Sequence, residues 1–224
     1  MHVIDLDRFL SELKDNNNRA WFVMNKPRYD ILRAEFLAFV TELIAAMSKF
    51  DPEIAQCDPK KAMFRINRDV RFSHDKSPYK TNFSAALIPN GRKKPSEGGG
   101  PAYYFQLGDG RLFFAVGEYM PPADRLKTIR QGMIDDAEGF KKLIKNKKLQ
   151  ARYGALVEEG KLQRPPKGYD PEHPHIEYLK LKSMMVWTEL PLKGLLHDDV
   201  KQHLVDGFKD AYVLVQWLRG LAQD

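Results

Sequence analysis

A chain of 224 residues with 43% hydrophobic and 29% charged content can bury a sizeable core and is too apolar for global disorder. Its formal charge of +6 favours anionic partners, and its single cysteine, Cys57, excludes an intramolecular disulfide and a cysteine-built zinc site. No uncharged apolar run reaches the length of a bilayer span, and MHVIDLDRFLSEL lacks the basic start and cleavage site of a signal peptide, so a cytoplasmic setting without membrane contact is expected.

Asp5 is placed to cap a short helix carrying Phe9, Leu10 and Leu13, which the turn-forming run Asp15-Asn16-Asn17-Asn18 ends. Trp21 and Phe22 follow, and Pro27 stands where a first helical turn tolerates proline. From Tyr29 to Phe50, Leu32, Phe36, Phe39, Val40, Leu43, Ile44 and Met47 recur at helical spacing, until Asp51-Pro52 closes the element.

The middle of the chain predicts strands at Ala62 to Phe72, Asn82 to Ile88, Ala102 to Leu107 and Arg111 to Tyr119. Gly108-Asp109-Gly110 joins the last two as a hairpin, because such a turn needs residues that accept positive φ. The glycine-rich, basic run between Pro89 and Pro101 reads as a mobile connection between antiparallel strands.

Pro121-Pro122 ends the strands. One or two helices are expected over 123–153, irregular proline-punctuated chain over 160–191, and a final amphipathic helix from about Asp198 to Leu221. The order predicts an α+β fold: a mostly antiparallel central sheet packed by N-terminal, middle and C-terminal helices. The chain reads as a single domain, 1–224, helical over 1–52, strand-rich over 60–120, and helical and irregular over 121–224. No dinucleotide-binding glycine motif, Walker A loop or nucleophile elbow is present, and no cofactor is implied.

The stretch RINRDVRFSHDKSPYKTN concentrates charge. As a strand it would place Phe64, Ile66, Arg68, Val70 and Phe72 on a core face, with Arg65, Asn67, Asp69, Arg71 and Ser73 on a polar face. Arg65, Arg68, Arg71, Lys76 and Lys80, joined by Lys182 from a second basic run, are candidate ligands for an anion: guanidinium forks grip carboxylate or phosphate, and lysine adds point charge. Asp69, His74 and Asp75 are candidate acids or bases, and Tyr79 an orienting donor. An anion-binding pocket, open to use by an enzyme, competes with two other readings. One is a nucleic-acid module that adds the 92–94 loop and the 141–152 helix to a positive stripe. The other is a structural protein whose arginines hold an internal charge network.

His173, His175 and Glu177 alternate in a way that an extended strand would present on one side. Histidines so spaced are more often structural than ligands, and no metal is assigned. Cys57 reads as a small packed residue, and Tyr103, Tyr104 and Phe105 mostly as core.

FRINRDVRFSHDKSPYKTNF, NNNRAWFVMNKPRYD and RPPKGYDPEHPHIEYLKLKS together resemble one family, the "domain of unknown function 2461" family of conserved hypothetical, mostly bacterial proteins. Arg68, Asp69, Arg71, Phe72, Ser73, Asp75, Lys76, Pro78, Tyr79 and Lys80 match its core motif. Asn17, Arg19, Trp21 and Phe22 match the first motif, and Pro166, Gly168, His173, Pro174, Tyr178, Leu179 and Lys182 the last. The resemblance carries no activity, substrate or cofactor. It implies that these polar positions recur together, as the residues of a shared site do.

Overall fold

The computed structural model describes residues 1–89, 95–97 and 99–221. Residues 90–94 and 98 of the glycine-rich connection lie outside them. Packing divides the chain into two compact units, one of 1–90, 104–114 and 189–206, the other of 91–103, 115–188 and 207–224.

The fold is α+β, with ten α-helices among the described residues and a four-stranded antiparallel sheet. The strands are β1 (Asn82–Leu87), β2 (Ala102–Gly108), β3 (Arg111–Glu118) and β4 (Met184–Pro191), paired in that order. The β2–β3 turn forms as expected: Asp109 and Gly110 both take positive φ, +52° and +69°. β4 falls inside the stretch read as irregular. Gly117 on β3 lets it approach, since a Cβ there would stand 2.2 Å from the Met184 carbonyl oxygen. No helix of the described residues is long and apolar enough to cross a membrane.

In the first unit, α1 (Val3–Asp15) buries Val3, Leu6, Phe9, Leu10 and Leu13, one stripe at helical spacing. Asn18 caps the short α2 (Arg19–Met24) by accepting the Trp21 amide at 3.0 Å. α3 (Lys26–Met47) carries Pro27 in its first turn and buries the whole expected stripe from Leu32 to Met47. Phe36 of α3 meets Phe83 of β1 at 5.4 Å and Phe105 of β2 at 5.6 Å between ring centroids, so an aromatic cluster ties helix to sheet. A 3-10 turn (Pro52–Gln56) and the one-turn α4 (Pro59–Ala62), capped by Asp58, lead to the basic segment. Cys57 is buried, and desolvation raises its thiol pKa.

In the second unit the stretch 123–153 forms three helices, α5 (Ala123–Asp135), α6 (Ala137–Ile144) and α7 (Lys147–Tyr153). Asp136 and Asn146 break the run because their side chains cap the helix that follows, accepting the amide of Gly139 and those of Lys148 and Leu149. A single turn, α8 (Ile176–Leu179), precedes β4. The final helix of the chain is divided at Ala211 into α9 (His197–Asp210), which belongs to the first unit as far as 206, and α10 (Tyr212–Gly220) of the second.

The second unit also holds a buried ion pair. Glu118, at the end of β3, is fully buried, and Arg125 of α5 binds it through Nε and Nη2 at 2.7–3.2 Å. Nη2 of Arg125 also donates to the Leu218 carbonyl of α10 at 2.8 Å, so one guanidinium links strand and two helices.

Candidate functional site

The basic segment is not the strand expected from Ala62 to Phe72. It is an irregular arm with two isolated antiparallel bridges, Met63 to Ala85 and Asn67 to Tyr79. The Phe64 amide donates to Ser84 (2.9 Å), the Arg68 amide to Pro78 (2.9 Å) and the Lys80 amide to Ile66 (2.7 Å). The chain therefore runs out along 64–68 and back along 78–81, with 69–77 as its tip. Proline at 78, unable to donate, and the side-chain bonds of the tip interrupt a regular ladder.

The expected core face fails with the strand. Ile66 and Tyr79 are buried at 6% and 7% exposure, but Phe64 is 39% and Phe72 95% exposed. Leaving a phenyl ring in water forfeits roughly 2 kcal/mol of burial.

The N-terminal motif holds the arm in place. Asn17 works as a substitute peptide: its Nδ2 donates to the Tyr79 carbonyl at 2.9 Å and its Oδ1 accepts the Tyr79 amide at 3.1 Å. The Tyr79 ring stacks on Phe22 with centroids 4.0 Å apart and planes 18° from parallel. Tyr79, expected as an orienting donor, is thus placed as the anchor of the arm.

Arg68 is half-buried and turned into the arm. Its Nη1 donates to Asp75 Oδ2 and to the Ser77 carbonyl, and its Nη2 to Ser73 Oγ at 3.3 Å. Asp75 Oδ1 accepts from the Ser77 hydroxyl at 2.6 Å and the Ser77 amide at 2.9 Å. Those Ser77 bonds, with Arg68 third, pull the Asp75 carboxyl down to about 2. Arg71 grips Asp69 with Nε at 2.9 Å and Nη2 at 2.7 Å, which lowers the Asp69 pKa. Lys76 donates to the Val70 carbonyl at 3.0 Å, across the tip. The Lys80 ammonium lies 4.9 Å from the Phe64 ring centroid and the Arg71 guanidinium 5.7 Å from that of Phe72. Arg65 and His74 are exposed.

The structure thus brings Arg65, Arg68, Asp69, Arg71, His74, Asp75, Lys76, Tyr79 and Lys80 together in one element of the first unit. Lys182, exposed and with its stem beside Gly160, belongs to the second. A cavity of about 630 Å³ in the first unit is lined by other residues, among them Asp7, Lys14, Asp109, Arg111 and Glu189. Sequence reasoning did not mark Asn17 as the clamp of the arm. It also put Phe64 and Phe72 in the core, although the charged and polar neighbours of Phe72 argue against a buried flank.

The second motif is a braced loop. His173, His175 and Glu177 are not on an extended strand, since His175 leads into α8. The buried His175 sets Nε2 3.2 Å from the Ala137 carbonyl, while its amide donates to His173 Nδ1 at 3.1 Å. Glu177 is bonded to Lys180 and Lys161, in that order of effect, and both lower its pKa. Arg130 donates to the carbonyls of Leu179 (2.7 Å) and Leu181 (3.2 Å), closing the C-terminal end of α8. Among the described residues no group of three or more His, Cys, Asp and Glu is placed to hold a metal ion.

No curated protein and no solved structure matches the chain. The family model described as conserved hypothetical protein (DUF2461) matches residues 6–217, which takes in the clamp, the arm and the braced loop alike. The chain belongs to that family.

Proposed function

We propose that the chain binds an anionic ligand on the arm formed by residues 64–81. One observation carries the reading. The arm holds five full cations, Arg65, Arg68, Arg71, Lys76 and Lys80, against two carboxylates, and both carboxylates are already engaged by Arg68 and Arg71. The surplus is +3 before any contribution from His74 (5 − 2 = 3). A local excess of positive charge on an element that leaves the sheet concentrates anions around it.

In this reading Asp69 and Asp75 position arginines. Both carboxyls are held ionised, which suits anchoring and leaves them poor proton donors at neutral pH. Tyr79 and Asn17 fix the arm to the body of its unit, and Arg65 and Lys76 meet the ligand.

Isothermal titration of inorganic tripolyphosphate at low salt tests the proposal. Saturable binding that weakens with added salt is expected, and the double variant Arg65→Gln, Lys76→Gln should lose most of it with an unchanged melting temperature. Absence of binding at low salt, or equal binding by the double variant, overturns the reading.

A further inference from the structure

We infer that the anionic partner of the arm is a single-stranded nucleic acid, with Phe72 as the platform for an unpaired base; the inference rests on the reading of the arm as an anion-binding element. A free phosphate or a small carboxylate needs only cations. The arm offers cations and rings in alternation. Phe64 is 39% exposed with Lys80 over its ring, and Phe72 is 95% exposed with Arg71 over its ring. A single strand presents the complementary alternation, a π-face and then a phosphate at every nucleotide. A duplex hides those faces in its own stack, so an exposed ring selects unpaired bases.

The tip is also braced. Arg68, ahead of Phe72, is bonded to Ser73, Asp75 and Ser77 beyond it, so the chain on both sides of Phe72 is pinned. A ring held out by pinned backbone loses little freedom on stacking. The tip presents a single exposed ring between Arg71 and the polar run Ser73-His74-Asp75. That suits a base-sized contact better than insertion into lipid, which calls for neighbouring apolar residues that sink together.

The test is fluorescence anisotropy with labelled oligothymidylate of about twelve nucleotides, a length one such site can occupy. Phe72→Ala should weaken the complex about ten-fold, as one lost stacking contact does, and Phe72→Trp should restore it. Tripolyphosphate binding should be the same in all three proteins. The double variant Arg65→Gln, Lys76→Gln should lower the salt slope by about 0.7 per lost phosphate contact. Equal oligonucleotide affinity in Phe72→Ala, or a duplex bound as tightly as the single strand, overturns the inference while leaving anion binding intact. Binding of neither oligonucleotide nor tripolyphosphate overturns both. Phe72-dependent binding to phosphatidylserine vesicles without oligonucleotide binding also overturns the inference and makes the partner a membrane surface.

Discussion

The end of β3 and the tip of the arm use the same chemical unit, an arginine gripping a carboxylate with two nitrogens, in opposite surroundings. Arg125 and Glu118 have side chains 5% and 0% exposed, whereas Arg71 and Asp69 are 75% and 46% exposed. Burial makes the first pair indispensable to its neighbours without making it a source of net stability. Each ion has lost its hydration, and the bonds to its partner, with the Leu218 carbonyl beside Arg125, stand in for water. Water does most of that work at the tip, so Asp69 and Arg71 spend little to stay together and little to separate. The buried pair therefore fixes structure, whereas the exposed pair can part and re-form at little cost.

The largest expected effect tests the buried side of this contrast. Arg125→Met leaves Glu118 with an uncompensated charge and the Leu218 carbonyl without that donor, so urea denaturation should show a loss of about 3–5 kcal/mol. Glu118→Leu combined with Arg125→Met should recover most of it, because removing both charges removes the desolvation problem. A single variant within about 1 kcal/mol of the parent would break the comparison.

Asn17→Ala should have an intermediate effect. It strips two hydrogen bonds from the half-enclosed Tyr79 backbone, at a cost of about 2 kcal/mol, and leaves the arm held to α2 by the Tyr79–Phe22 stack. Amide hydrogen exchange should rise at Arg68 and Lys80, whose amides close the base of the arm, while the Arg125 region stays protected. Uniform loss of protection would mean that the arm is no separate element of stability.

Where the sequence was readable, a repeated physical signal was present. The stripe from Leu32 to Met47 repeats over enough turns to identify both the helix and its buried face, and all seven residues are buried. Gly108-Asp109-Gly110 marked its hairpin because positive φ has few chemical solutions. β4 was hidden among prolines, and its partner β3 lies far away in sequence, where local pattern says nothing about pairing. The arm was legible as a place and misread as a shape. The alternation in FRINRDVRF resembles a half-buried strand, but alternation does not reveal whether a core waits for Phe72. Nor could spacing show that Arg68 would turn toward Asp75 and Ser77, since that depends on the return of the chain after the tip. The pairing of Glu118 with Arg125 across Pro121-Pro122 was equally out of reach, because it needs the start of α5 folded back on β3.

The smallest effect is the sharpest test of the exposed side. Asp75 is bonded by Ser77 and Arg68 more strongly when ionised, and its folded-state pKa is about 2 against an ordinary 3.8. A depressed carboxyl contributes order above its ordinary pKa and loses it as pH falls through the folded value, so the tip should loosen between about pH 4 and about pH 2. The carbon resonance of the Asp75 carboxyl reads this midpoint directly, with near-UV circular dichroism to verify that the fold is intact. Ser77→Ala and Arg68→Gln should each move the midpoint toward 3.8, the first by removing the hydroxyl bond that is the largest single cause, the second by removing a smaller bond together with its charge. If Arg68→Gln moves it more, the guanidinium is the true counter-ion of Asp75, and the tip depends on charge pairing as the buried pair does. A midpoint already at 3.8 in the parent would mean that Asp75 braces nothing, and the tip would rest on the bonds of Arg68 to Ser73 and the Ser77 carbonyl.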